Sequence, residues 1–249
     1  MYLTIKGLVL RVTDYNEHDA LLSLLTQEHG KLIVKARGLR RKKSPLVAAC
    51  QLLAFSEFTL FEYRGQYVIN EATSIELFHS LRKDICKLAL GSYFAQVSEV
   101  ISQEDCPNRE LQSLVLNCLF ALSKLDTSEQ KVKAVFELRA ACIAGYLPDL
   151  SACYRCGNDT PDRFDVSLAH LECSHCKNTE YTGIRMPITP GVLAAMRYIA
   201  FCDEKRLLSF ELQEESFHQL SNITEVYLST QLEHTFSTLS FYKSLLIAE

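Results

Sequence analysis

The chain has 249 residues, 48% of them apolar, and a formal net charge of −4. That is enough for one large domain or two small ones, and it excludes a disordered chain. The small negative charge argues weakly against a polyanion partner, but it hides a split: residues 1–78 carry ten Lys/Arg against eight Asp/Glu, and residues 79–249 carry sixteen against twenty-two.

The first 78 residues alternate as β-strands do. Leu3, Ile5 and Val9 define one face of a first strand, and Leu8, Leu10 and Val12 the other. Further strands are predicted at 20–26, 31–36, 52–63 and 66–75. His29-Gly30 and Arg64-Gly65 sit where hairpin turns are needed. Five short strands in so short a span avoid exposed edges by closing, which suits an OB-fold β-barrel. An SH3-like barrel fits the pattern nearly as well.

From Ser80 the period lengthens to that of a helix. Leu81, Ile85, Leu88, Ala89, Phe94 and Val97 form one stripe reaching about Gln103. Helices are also predicted at 110–125 and 128–146, with Ser128 as an N-cap and Gly145 and Pro148 as the stop. Residues 149–187 lose all periodicity. Thr189-Pro190 then reads as the N-cap and first turn of a further helix. A long helix at about 213–235 and a short apolar segment close the chain. The fold class expected is α+β multidomain. A five-stranded OB-fold β-barrel at 1–78 is followed by an α-helical domain at 79–249, with an inserted four-cysteine zinc-binding module at about 149–187.

The aperiodic stretch contains Cys153-x2-Cys156 and Cys173-x2-Cys176, separated by sixteen residues. Two such hooks let four thiolates surround one zinc ion at ~2.3 Å. All four positions then belong to the protein, so the ion is expected to be structural, with no place for water or substrate. The stretch lacks other core-forming pattern, and zinc is expected to fold it. Gly157 suits the knuckle turn. His175, inside the second hook, is a lesser candidate ligand. An iron–sulfur cluster is the main alternative, and a redox pair would need a βαβ context absent here. Cys118 and Cys142 fall in apolar helical stretches and read as packing residues.

Lys31, Lys35, Arg37, Arg40, Arg41, Lys42 and Lys43 fall within thirteen residues, in a span without Asp or Glu from 29 to 56. Such a stripe can neutralise several phosphates, and OB folds bind single strands with a charged groove and stacking aromatics. The alternative is a solvated, flexible loop that keeps the barrel soluble; sequence statistics alone divide the two evenly, and the barrel context favours DNA binding. Phe55, Phe58, Phe61, Tyr63 and Tyr67 supply aromatics, most of them suited to the core. Asp14, Glu17 and Asp19 read as solvated charges between the first two strands. There is no Walker loop, G-x-G-x-x-G, G-x-S-x-G or H-E-x-x-H motif, so nothing supports an enzyme. The first residues lack the basic and apolar regions of a signal peptide, and no apolar run reaches ~18 residues. A cytoplasmic protein with no membrane partner is expected, its cysteines reduced.

Several stretches resemble one family. G-L-V-L-R-V-T-D-Y-N-E-H-D at 7–19, L-L-T-Q-E-H-G-K-L at 24–32, A-R-G-L-R-R-K-K-S at 36–44, F-E-L-R at 136–139 and G-Y-L-P-D-L-S-A-C-Y-R-C-G at 145–157 are similar to the bacterial RecO recombination mediators. Lys243-Ser244 resembles that family's terminal motif. The resemblance implies a non-enzymatic DNA repair protein that binds single- and double-stranded DNA and anneals complementary strands. It implies that, with RecR, such a protein helps load RecA onto DNA coated by single-strand binding protein. It also implies capture of that coat protein's acidic, Phe-ending C-terminal tail, for which Arg139, Arg197 and Lys243 are candidates. An adaptor role, with DNA binding secondary, is the alternative. The family usually has Gly-Gly before the second hook, where this chain has Ala169-His170.

Overall fold

The alternation of the first 78 residues closes into a barrel. Its strands are β1 (Tyr2–Tyr15), β2 (Asp19–Thr26), β3 (Gly30–Ala36), β4 (Phe55–Tyr63) and β5 (Gln66–Glu76). The order is β1-β2-β3-β5-β4, and β4 returns to pair with β1. Every pairing is antiparallel except β3 with β5, where Val34 faces Tyr67 and Lys35 faces Val68. This parallel closure is the Greek-key OB arrangement and decides between the two barrels that the strand pattern allows. The structure is a computed structural model that describes residues 2–176 and 182–247. Residues 177–181 of the expected module lie outside the described residues.

Ile5, Val9, Leu22, Val34, Phe58 and Leu60 fill the barrel. Leu8 and Leu10 are also buried, though outside that interior. The pairing of β1 with β2 shifts between Val9 and Arg11, so Leu10 is the bulged residue. Helix α1 (Ile85–Ile101) packs against β1. One long strand therefore serves two cores. β4 begins later than the apolar run suggests, because Leu53 adopts a positive φ of 63°.

Five more helices follow: α2 (Arg109–Lys124), α3 (Glu129–Ile143), α4 (Pro190–Phe201), α5 (Glu214–Gln231) and α6 (Ser237–Ile247). By contacts the chain divides into two units, Met1–Asp126 with Phe236–Glu249, and Thr127–Thr235. In the first, Asp84 caps α1 through the amides of Cys86 and Lys87, and Asn108 caps α2 through Leu111. A Cβ at Gly91 would lie 2.9 Å from Leu53 and 3.2 Å from Leu119, so glycine lets α1 approach both.

In the second unit, α3 packs on α5. Ser128 holds the N-cap position of α3 without a side-chain bond, whereas Thr189 caps α4 through Val192 with Pro190 in the first turn. The aperiodic stretch is a small sheet. Its strands β6 (Asp149–Cys153), β7 (Arg163–Asp165), β8 (His170–Glu172) and β9 (Arg185–Pro187) lie in the order β6-β8-β7-β9. The expectation that this stretch lacks a core is corrected here. Phe164, Val166 and Leu171 are fully buried, and the Phe164 ring meets Tyr227 edge-on at 5.3 Å. Ala169, before β8, sits at φ +57°, a left-handed conformation costing a non-glycine residue roughly 1 kcal/mol. A glycine would adopt this backbone without that cost. No helix among the described residues is long and apolar enough to cross a membrane.

Candidate metal centre and nucleic-acid interface

The two hooks meet in space. The sulfurs of Cys153, Cys156, Cys173 and Cys176 all lie within 4.8 Å of one another. Cys156 and Cys173 are 3.9 Å apart, close to the ~3.8 Å edge of a tetrahedron with ~2.3 Å metal–sulfur bonds. Gly157, at φ +72°, turns the first knuckle and donates its amide to the Cys153 carbonyl at 2.9 Å. In the second, the Cys176 amide reaches the Cys173 carbonyl at 3.0 Å. His175 is exposed on that turn.

The donor set favours a cation. Burial opposes ionisation of Cys153, yet backbone amides of Cys156, Arg155 and Cys173 outweigh it and lower that thiol to about 6. Cys156 and burial push the Cys176 thiol up to about 12. At Cys173, the Asn158 amide at 3.2 Å favours the thiolate, but burial and the neighbouring sulfurs prevail and raise it. One thiolate forms readily and its neighbours resist a second negative charge. A divalent cation removes that conflict, so these residues can hold a metal ion. Cys118 and Cys142 behave otherwise: burial alone raises Cys118, and burial raises Cys142 to about 11, as for packing residues.

The basic segment lies along β3 and the loop after it. Lys31 Nζ donates to the Glu99 carbonyl at 3.2 Å. Lys35 pairs with Asp19 at 2.9 Å and lies 4.7 Å from the centre of the Tyr15 ring. Arg40 pairs with Asp14 at 3.0 Å and donates to the Asn16 carbonyl at 2.8 Å. Asp19 also accepts from the Gly38 amide at 2.9 Å, and that bond together with Lys35 holds its carboxyl below the usual range. Asp14 and Asp19 are thus not merely solvated: they tie the loop before β2 to the basic loop. Arg37, Arg41, Lys42 and Lys43 are exposed and make no ion pair among the described residues. Phe58 is core, while Tyr15, Phe61 and Tyr63 are exposed and Phe55 and Tyr67 half-buried.

Residues 1–78 match the family model for the N-terminal part of recombination protein O, and residues 82–240 match the model for its C-terminal part. The chain belongs to the RecO family. It is 32% identical to the DNA repair protein RecO of Acetivibrio thermocellus, over 98% of this chain and 97% of that protein. It is 27% identical to that of Alkaliphilus metalliredigens, over 98% and 100%. With the RecO of Bacillus subtilis it shares 28% over 89% of this chain and 86% of that protein.

The RecO-family resemblance singles out three cations, which have different settings. Arg139 donates to the carbonyls of Ile199 and Ala200, at 3.2 and 2.6 Å, at the C-terminal end of α4. Arg197 donates to Leu150 and Ser151, both at 2.7 Å. Lys243 is exposed on α6. Arg197 lines an open cavity of about 490 Å³ whose other walls are Leu147, Pro148, Leu150 and Phe201 with the polar Asp149 and Ser151. Exposed Leu147 and Phe201 give no helical or strand period that would announce it.

Proposed function

We propose that this RecO-family chain is a non-enzymatic, cytoplasmic recombination mediator. It binds single- and double-stranded DNA, anneals complementary strands, and acts with RecR to load RecA onto strands coated by single-strand binding protein. The observation that carries the reading is the basic face of an OB barrel, with four unpaired cations on the loop after β3. In OB folds the ligand surface is formed by the face of strands 2 and 3 with the loops joining strands 1 to 2 and 4 to 5. Lys31 and Lys35 lie on β3, and the basic loop extends from its end toward β4. A cationic loop screens two backbones together, so their repulsion falls and base pairing proceeds without fuel. The test is strand annealing over a salt series. Acceleration that fades as salt rises supports the reading, and none at low salt defeats it.

The metal is zinc, and its role is structural. Four thiolates in one tetrahedron suit zinc or an iron–sulfur cluster, and the closed ligand set leaves no open position. One zinc per chain is expected by elemental analysis. Chelation should speed amide exchange in 149–176 while leaving strands β1–β5 protected and DNA affinity within about twofold. Equal protection of 149–176 with and without chelator would remove the structural role.

The cavity beside Arg197 favours an adaptor activity in addition. The apolar walls suit the terminal Phe of the coat protein's acidic tail, with the Arg197 charge, already bonded to the Leu150 and Ser151 carbonyls, set against the Asp149 carboxylate in the same lining. Replacing exposed Phe201 with Ser is expected to weaken binding of a labelled tail peptide about tenfold without unfolding. Unchanged affinity would place the tail elsewhere.

A further inference from the structure

The barrel surface contains a cavity of about 370 Å³ with an unusual mixture of walls. Tyr15 enters from the end of β1, and Tyr67 from the start of β5. Ile33, Lys31 and Lys35 form the β3 side. Glu104 and Asp105, from the loop joining α1 to α2, close it. This last wall is built in, not draped over the site. The Lys31 amide bonds the Gln103 carbonyl at 3.0 Å, and Glu104 bridges the backbone of Gly30 and Lys31. The approach is so close that a Cβ at Gly30 would lie 2.1 Å from the Cys106 carbonyl oxygen. Gly30 also has φ +61°, so two constraints ask for glycine there.

Carboxylates repel phosphates, so a groove that touched only the DNA backbone would gain nothing from Glu104 and Asp105. A neutral base is different. Its ring stacks on tyrosine whatever its identity, but its edge carries donors or acceptors that depend on which base it is. A carboxylate accepts the amino proton of cytosine, whereas thymine offers an oxygen at the equivalent position and is repelled. We propose that this cavity is a pocket for one unpaired base and selects cytosine over thymine. The base lies against Tyr15 and Glu104 or Asp105 accepts the exocyclic amino proton, while Lys31 and Lys35, held by the Glu99 carbonyl and by Asp19, form the β3 wall. The size suits one base rather than a paired stack. The pocket rests on the single-strand-binding reading above, and it adds a base preference to a surface otherwise read as sequence-blind.

The test uses the whole chain and two labelled oligonucleotides, one all thymidine and one with alternate positions changed to deoxycytidine. Anisotropy is read at fixed salt. The deoxycytidine strand is expected to bind about fivefold more tightly. The double change Glu104→Gln and Asp105→Asn keeps shape, and asparagine tolerates the left-handed backbone at 105, φ +54°. A carboxamide offers both a donor and an acceptor, so the preference should vanish while total affinity rises with the lost negative charge. Tyr15→Leu should weaken both strands about tenfold and abolish quenching of 2-aminopurine placed in either. Equal binding of the two strands by the unaltered chain, with a normal salt dependence, overturns the base pocket and leaves the single-strand reading standing. A preference that survives the double change overturns it as well. No binding of either strand at low salt removes both.

Discussion

Replacing Arg37, Arg41, Lys42 and Lys43 together with alanine is expected to weaken single-strand binding by about 10²-fold at moderate salt. These four cations are exposed and make no ion pair among the described residues, though Arg37 is near enough to Asp19 to favour its charged form, so each can release a counterion at a phosphate. Each phosphate contact on a single strand contributes a slope of roughly 0.7 in log K against log salt, so four lost contacts flatten the slope by about 3. Arg40 belongs to a different class. Asp14 already neutralises it at 3.0 Å, and its guanidinium is committed to the Asn16 carbonyl. Asp14→Asn is therefore the informative companion: it frees Arg40 and should raise affinity about twofold, as expected for an exposed pair. Binding isotherms at five salt concentrations measure both. An unaltered slope in the fourfold variant would remove the loop from the interface.

The second large effect concerns stability, not DNA. Lys133→Met should destabilise the unit Thr127–Thr235 by about 3–5 kcal/mol. Lys133 Nζ lies 2.9 Å from Glu137, one turn along α3, and 2.8 Å from Glu225 on α5. Both Lys133 and Glu137 are almost wholly buried, and Thr224 donates to Glu137 at 2.8 Å. Without the amine, the fully buried Glu137 carboxylate is left facing the partly exposed Glu225 with no cation between them. Burial pushes the Glu137 carboxyl above its usual range. Burial lowers the Lys133 amine, but Glu137 and Glu225 outweigh that and raise it above 10.5. Each raised group holds its proton more tightly when folded: the Lys133 contribution is retained below the ordinary lysine value and lost as pH rises through its raised one, whereas the Glu137 penalty is absent below the ordinary glutamate value and sets in as pH rises past it. Urea unfolding of Lys133→Met measures the cost. Adding Glu137→Leu removes one stranded charge and should recover much of it, which separates a charge effect from a packing one.

The sequence made some features plain and hid others for physical reasons. Strand alternation and helical stripes are local, so the barrel strands and the helices were legible close to their observed bounds. The barrel type was not, because the pairing of Val34 with Tyr67 joins residues more than thirty apart. The four cysteines were legible because ligand spacing is itself local: each hook is one knuckle turn. Strands of three residues, such as Arg163–Asp165 and His170–Glu172, are too short to display a period, so the sheet around the hooks was invisible. Charge was the least legible property. Asp14 and Asp19 read as solvated, yet each finds a cation across the fold. Glu104 and Asp105 carried no pattern, since only backbone pairing of their loop with β3 gives them a position.

Annealing by this chain requires that the basic barrel let two strands meet. The most direct measurement follows annealing of two complementary oligonucleotides, each coated by single-strand binding protein, as this chain is added at several salt concentrations. Annealing faster than the spontaneous rate is expected at low salt. The acceleration should fall as salt rises and be lost with Arg37, Arg41, Lys42 and Lys43 replaced by alanine. A folded, metal-loaded chain that leaves the annealing rate unchanged at every salt concentration would contradict it.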